Sequence, residues 1–369
     1  SRSTSAVLLE FGSTGSHAAL FAREMGLPCI SGLADLVASV PDGAEILVDA
    51  DTGTATIHPG DRQRVTFRED VERKEEASRS AREHALSPSL TKDDVAISVV
   101  ANVGCRDDTQ LAMSNGADGV GLYRIEQAYL GRVEPPDAEE LFGEMFKTLE
   151  PALGKAVCVR LLDIGADKPL PFMKFLAESN PSLGRRGIRM LREYPELLET
   201  QLRTVLKLAG EFDMSILVPM VTLPEDMAVV KERLGQLGRE LQISTLPKLG
   251  AMIETPAAAL SAGEITAHAD FLSFGTNDLT QYVFAADREN AAVEGYFHDA
   301  ADAIFRLLRI TRDDAPGVPL SMCGELASRP EHSARLLGCG IRTFSIAPPL
   351  IPVIKEAIRE SYCGALPDW

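Results

Sequence analysis

DFLSFGTNDLTQYVFAADR, residues Asp270–Arg288, is the stretch from which the fold can be read. An apolar run (Phe271, Leu272, Phe274) ends in Gly275-Thr276 and is followed at once by Asn277 and Asp278, with Gln281 and Arg288 further on. A buried strand that stops at a glycine and delivers an acid is the pattern of a barrel strand opening on a cleft. The same pattern recurs on both sides of it. Strands are expected in VAISVVANVG ending near Gly104, GVGLYR ending at Arg124, AVCVRLLD ending at Asp163 and SILVPMV ending at Val221. Further strands are expected in KLGAMIET ending near Thr255, FLSFGTND ending at Asp278, PLSMCGE ending at Glu325 and TFSIAPP ending near Pro348. Eight apolar strands with helical segments between them fit a (β/α)8 barrel better than an open sheet.

The carboxyl ends of barrel strands and the loops after them form one face of the molecule. Arg124, Arg160, Glu254, Asp278 and Cys323 should therefore converge although they are far apart in the chain. Any one of these charges alone has an ordinary explanation as a strand-end ion pair or a solvated loop charge. Their shared position at the same end of several strands is what points to a site, because buried parallel strands are otherwise apolar throughout.

Ahead of the barrel, residues 1–60 alternate short apolar runs with glycine turns (AVLLEFGSTG, LPCISGL, AEILVDADTGTATIHPG), as a small α/β unit does. That length is short for a complete domain. Residues 61–93 read as a linker, in which DRQRVTFREDVERKEEASRSAREHALS (61–87) has the mixed charge and helix-forming residues of an exposed helix. The barrel then occupies residues 94–369.

Composition narrows the function. At 369 residues, 45% hydrophobic and with mean hydropathy near zero, the chain can bury a large core. Its net charge of −17 argues against non-specific nucleic-acid or anionic-membrane binding, both of which need a basic footprint. An anionic substrate must then be held by a local arginine cluster. The six cysteines are widely spaced without a CxxC pair, which disfavours a zinc ribbon or disulfide framework and fits a reducing cytoplasm. No signal peptide or membrane-spanning apolar run is visible.

Glu254 and Asp278, at the ends of neighbouring strands, are hard oxygen donors suited to Mg²⁺, or alternatively a general acid/base pair. Arg124, Arg160, Arg186, Arg189 and Arg288 offer planar forks that match phosphate and carboxylate oxygens, two of them (Arg186 and Arg189) concentrated with Arg185 in the turn NPSLGRRGIR (180–189). Cys323 in SMCGE is either a proton donor at a strand end or a buried structural thiol. His17 follows the small-residue turn Gly12–Ser16 and precedes a helical pattern. That is a place for a phosphoryl acceptor or for an ordinary capping-region histidine.

GADGVGLYRIE, RLLDIGADKPLPFM, NPSLGRRGIR, GAMIETPAAAL, DFLSFGTNDLTQYVFAADR and SMCGELA together resemble the motifs of the phosphoenolpyruvate-utilising enzymes. The resemblance is to the Enzyme I type, the phosphoenolpyruvate–protein phosphotransferases of the bacterial sugar phosphotransferase system, and covers Ala6 to about Glu360. It implies a barrel that binds phosphoenolpyruvate with Mg²⁺ and a swivelling domain whose histidine accepts the phosphoryl group. By matching motif, Glu254 and Asp278 would hold Mg²⁺, and Arg124, Arg160, Arg186, Asn277 and Arg288 would bind phosphate and carboxylate. Cys323 would protonate the enolate to pyruvate, and His17 would be the phosphohistidine. A homodimer through the barrel and a small phosphocarrier protein as partner are also implied.

Two departures stand against the family pattern Gly-Gly-x-Thr-Ser-His: Ser13 replaces the second Gly and Gly15 replaces the Thr. The front half of the swivelling domain and the inserted helical domain that docks the phosphocarrier are also not in these residues, as in a fragment or a shortened relative. A phosphoenolpyruvate-binding regulatory module that does not complete transfer is the alternative.

Overall fold

The structure is a computed structural model that describes residues 4–10, 22, 27–50, 52–165, 170–173, 178–288 and 290–364. The chain divides into two compact units, residues 1–83 with 280–298, and residues 84–279 with 299–369.

The larger unit is a closed parallel barrel of eight strands. These are β1 (Ala96–Val103), β2 (Gly119–Arg124), β3 (Ala156–Arg160), β4 (Asp213–Val218), β5 (Lys248–Ile253), β6 (Phe271–Phe274), β7 (Leu320–Met322) and β8 (Thr343–Ile346). Each pairs in parallel with the next, and β8 returns to β1 through Thr343–Ile346 against Ser98–Ala101. The near-continuous apolar runs AISVV, AVCV, ILV and LGAMI are what strands covered on both faces require. Helices between strands cover the outside, among them Ala138–Leu149, Pro195–Leu208, Pro224–Glu240 and Asp302–Asp314. Ala138–Leu149 is started by Asp137, whose side chain accepts from the backbone N–H of Glu139 and Glu140 while Glu140 reaches back to the Asp137 N–H.

Leu122, Cys158, Leu217, Met252 and Cys323 pack together as a buried cluster with Phe271 against it. Away from the strand ends that carry the charges, the fold is fastened by the helix Ile351–Arg359. Lys355, only 1% exposed, donates through Nζ to the carbonyls of Ala85 (2.9 Å) and Gly116 (2.7 Å) and lies 3.4 Å from Asp118 Oδ1. Arg359 donates to the carbonyls of His84, Ser87 and Pro88. One helix thus ties the entry segment of the barrel to the turn that precedes β2.

Within the smaller unit, Val7–Leu8 pairs in parallel with Cys29–Ile30, and Ile46–Asp49 forms an antiparallel hairpin with Thr54–Ile57. The helix Asp61–Glu83 buries only Ala81, and Arg64 pairs with Glu45 of the hairpin at 2.9 Å. No helix among the described residues is long and apolar enough to cross a membrane.

Candidate functional site

Strand register assembles the site. Arg124 and Arg160 are Cα partners across β2 and β3, and Arg160 is the partner of Leu217 in β4. Ile253 faces Phe274, and Phe274 faces Met322, so the next residues Glu254, Gly275 and Cys323 emerge at neighbouring positions beyond β5, β6 and β7. In a barrel this layer lies at the mouth formed by the carboxyl ends.

Glu254 is fully buried. Its Oε1 accepts a short hydrogen bond from the Met220 backbone N–H, whereas Oε2 has no hydrogen-bond partner among the described residues. Met220 follows β4 in a left-handed conformation (φ 56°), unusual for a side chain with a Cβ; the resulting backbone donates toward the acid. Burial, then the charges of Asp278 and Asp163, push the Glu254 carboxyl up to about 8 against the opposing pull of Arg186 and Arg160.

A chain of alternating charges runs through the rest of the mouth. Glu126, in the short turn after β2, accepts from Arg160 Nη2 at 2.7 Å and from the Asp163 backbone N–H at 3.3 Å. Arg160 Nη1 lies 3.2 Å from Asp163 Oδ2. Arg186 grips Asp163 with Nε (3.2 Å) and Nη2 (2.8 Å), and turns Nη1 to Asp278 Oδ1 at 2.8 Å. Burial works against the charge of Arg186, but Asp163 and Asp278 outweigh it and raise its pKa, so it stays a cation. The same balance, with Glu126 the leading partner, holds for Arg160. Such desolvated, bidentate pairs fix guanidinium planes in a way that exposed pairs do not.

Cys323 Sγ lies 3.5 Å from the Phe274 carbonyl and 3.6 Å from Ser273 Oγ, and burial pushes its thiol up to about 11. It therefore keeps its proton at neutral pH. Asn102 Nδ2 donates to the Cys323 carbonyl (3.2 Å) and is oriented by Ser345 Oγ (2.7 Å). Asn277 Oδ1 accepts from the Glu325 N–H at 3.0 Å. Two glycines permit this crowding: a Cβ on Gly275 would fall 2.8 Å from Glu254 Oε2, and one on Gly324 would fall 1.8 Å from Thr276 Oγ1. That Thr276 hydroxyl is itself buried without a partner among the described residues.

Of the residues expected from sequence, Arg124, Arg160, Arg186, Glu254, Asn277, Asp278 and Cys323 all belong to the barrel unit, on strand ends or the segments that follow them. Arg288 belongs to the smaller unit, where its backbone N–H donates to Gln281 Oε1 at 3.1 Å. His17 lies outside the described residues. Sequence reasoning assigned no role to Glu126, Asp163, Met220 or Thr276. Asp163 and Thr276 stood in quoted strand ends, and Glu126 stood two residues beyond Arg124.

Chemically, Arg160 and Arg186 hold fixed positive charge at the mouth, beside the strand end that carries Arg124. No group of three or more His, Cys, Asp or Glu side chains among the described residues forms a complete metal cage. Glu254 and Asp278 nonetheless fit a hard divalent ion that takes two carboxylates and fills its shell from substrate and water. A buried carboxylate oxygen that has no partner among the described residues, on a carboxyl whose pKa is raised, marks a place short of positive charge.

Comparison with known proteins shows the family. The family described as PEP-utilising enzyme, PEP-binding domain matches residues 78–363, and that described as PEP-utilising enzyme, mobile domain matches residues 2–53. The chain is 39% identical to the phosphoenolpyruvate-protein phosphotransferase of Haloferax volcanii, over 95% of its own length and 62% of the relative's. It is 35% identical to the protein of the same name from Mycoplasma pneumoniae, over 92% of this chain and 60% of the relative. Multiphosphoryl transfer protein 2 of Escherichia coli is 32% identical, over 96% of this chain and 43% of the relative. The chain thus spans less than two thirds of each of these relatives.

Proposed function

The chain belongs to the phosphoenolpyruvate-utilising enzyme family, and from that premise we propose that it is a phosphotransferase whose barrel binds phosphoenolpyruvate with Mg²⁺ and passes the phosphoryl group to His17. The observation that carries the reading is Glu254, buried with one oxygen unpartnered among the described residues at the mouth where Asp278, Arg160 and Arg186 also lie. Residues 1–60 would be the phosphohistidine part, 61–93 the linking helix and 94–369 the barrel.

Glu254 and Asp278 would hold the Mg²⁺. Bound there, Mg²⁺ would neutralise charge on the phosphoryl oxygens. Arg124, Arg160, Arg186, Asn277 and Arg288 would bind the phosphate and carboxylate of the substrate, which is the positioning and charge neutralisation that phosphoryl transfer chiefly needs. A ring nitrogen of His17 bonds to phosphorus as the bond from phosphorus to the enol oxygen breaks. The enolate left behind takes a proton on its methylene carbon from Cys323 Sγ, giving pyruvate, and the thiolate is reprotonated from solvent. A thiol held protonated by burial suits that role. A small phosphocarrier protein is the proposed downstream partner and a homodimer through the barrel the proposed assembly. The six free thiols favour the cytoplasm as the compartment.

Incubation with ³²P-labelled phosphoenolpyruvate and Mg²⁺ tests the proposal: the parent should acquire acid-labile label and His17→Ala should not. Equal labelling of the two refutes the role of His17. Ser13 and Gly15 beside His17 support a second reading, a phosphoenolpyruvate-binding module without transfer. Mg²⁺-dependent binding by calorimetry with no acid-labile label on the parent favours it.

A further inference from the structure

The geometry points to Arg186 as a resident counter-cation that occupies Asp278 until the phosphoester arrives, so that divalent cation and phosphoester bind with strong positive coupling. This rests on the proposed binding mode. It adds that the cation site is closed by the protein's own charge when the substrate is absent.

Arg186 stands between two carboxylates. Its Nη1 is 2.8 Å and its Nη2 3.5 Å from the two oxygens of Asp278, while Nε and Nη2 hold Asp163 at 3.2 and 2.8 Å. Its side chain is 14% exposed, so water screens little of its field. A divalent ion arriving alone would meet Glu254 Oε2 without a hydrogen-bond partner among the described residues, but Asp278 already paired with a fixed guanidinium, and would be repelled by that guanidinium at short range. A phosphate changes the balance, since its oxygens match the guanidinium fork at least as well as a carboxylate and carry more charge. Once Nη1 turns to phosphate, Asp278 is released to the cation, while Asp163 keeps hold of the other edge of Arg186. Arg160 cannot play this part. Its ion pairs are with Glu126 and Asp163, the charge of Glu254 also acts on it, and no contact ties it to Asp278. Coupling is reciprocal, so the cation must tighten the phosphoester by the same factor that the phosphoester tightens the cation.

The test is the affinity of the whole protein for Mn²⁺, read from the free-ion electron paramagnetic resonance signal, with and without phosphoenolpyruvate. The parent should bind Mn²⁺ weakly alone and about 10- to 100-fold more tightly with phosphoenolpyruvate, within the usual range of couplings between sites. Arg186→Gln should bind Mn²⁺ alone about tenfold more tightly than the parent. Arg160→Gln, which removes the same charge from a neighbouring position, should shift it about threefold or less. Equal shifts in the two variants, or a parent whose Mn²⁺ affinity does not respond to phosphoenolpyruvate, overturn the inference and leave the metal site standing. The second outcome is read on the parent alone and does not depend on how well either variant folds. A parent that binds no Mn²⁺ even with phosphoenolpyruvate removes the site itself, and the inference with it.

Discussion

Glu254→Gln should leave the stability of the metal-free protein unchanged near pH 5 and raise it increasingly from there through neutral to alkaline pH. The parent carboxyl goes from an ordinary value of 4.5 to about 8 on folding, chiefly through burial and then the charges of Asp278 and Asp163. The folded state therefore holds a proton over the window from pH 4.5 to about 8 in which the unfolded chain has released it. The stability tied to that proton is complete below the unfolded value and is lost as pH rises through the folded one. At about 1.4 kcal/mol per unit, the interval sets a ceiling of roughly 5 kcal/mol, and relaxation around a charge in a polar mouth reduces this to a few kcal/mol. Glutamine keeps an oxygen for the Met220 N–H and carries no charge at any pH. Urea denaturation in excess chelator at intervals from pH 5 to 9 should show parent and variant alike near pH 5 and the variant ahead by about 2–4 kcal/mol near pH 9. A difference that does not change with pH, or a variant less stable than the parent at pH 9, would refute the reasoning.

Gly324→Ala places a Cβ 1.8 Å from Thr276 Oγ1 and 2.6 Å from the Thr276 backbone nitrogen, so the start of the helix that carries Asn277 and Asp278 must move. Melting should show a loss of about 1–3 kcal/mol with a clear fall in Mn²⁺ affinity; unchanged affinity would show that this close approach does not position Asp278. Lys355→Met strands the carbonyls of Ala85 and Gly116 without their Nζ partner and should cost about 2–4 kcal/mol. Because the helix that carries Lys355 is not among the elements that build the mouth, phosphoenolpyruvate affinity at low temperature should match the parent, and a large loss there would contradict its purely structural role. Cys323→Ala should still acquire phosphoryl label but incorporate solvent deuterium into the pyruvate methyl group about 10²- to 10⁴-fold more slowly, as expected for loss of a general acid. Undiminished incorporation would assign the protonation to another group.

The barrel was legible because its strands are short apolar runs that end abruptly in charge, and the closing pairs β8–β1 and β2–β3 fall within stretches the periodicity marks. The positions of Glu254 and Asp278 were legible for the same reason, each standing just past an apolar run that itself holds no charge. What the periodicity does not encode is which charge meets which. Arg186 finds Asp163 and Asp278 at separations of 23 and 92 residues, pairings that depend on the curvature of the closed sheet. Glu126 sits in a single turn after β2, where one more acid among many loop acids carries no pattern. Met220 could not be suspected from its identity at all, since its contribution to Glu254 comes from a left-handed backbone that glycine or asparagine would ordinarily mark. Thr276 is less conspicuous than Asn277 and Asp278, although it is their neighbour at the mouth with a buried hydroxyl that has no partner among the described residues.

The central claim is that one glutamate and one aspartate at the barrel mouth hold a divalent ion against the phosphate of phosphoenolpyruvate. Relaxation of the ³¹P resonance of phosphoenolpyruvate by protein-bound Mn²⁺ tests it most directly. The parent should show strong paramagnetic relaxation of the phosphorus nucleus that disappears in both Glu254→Gln and Asp278→Asn. Relaxation that persists in the two variants, or that never develops in the parent at concentrations where both ligands are bound, would contradict it.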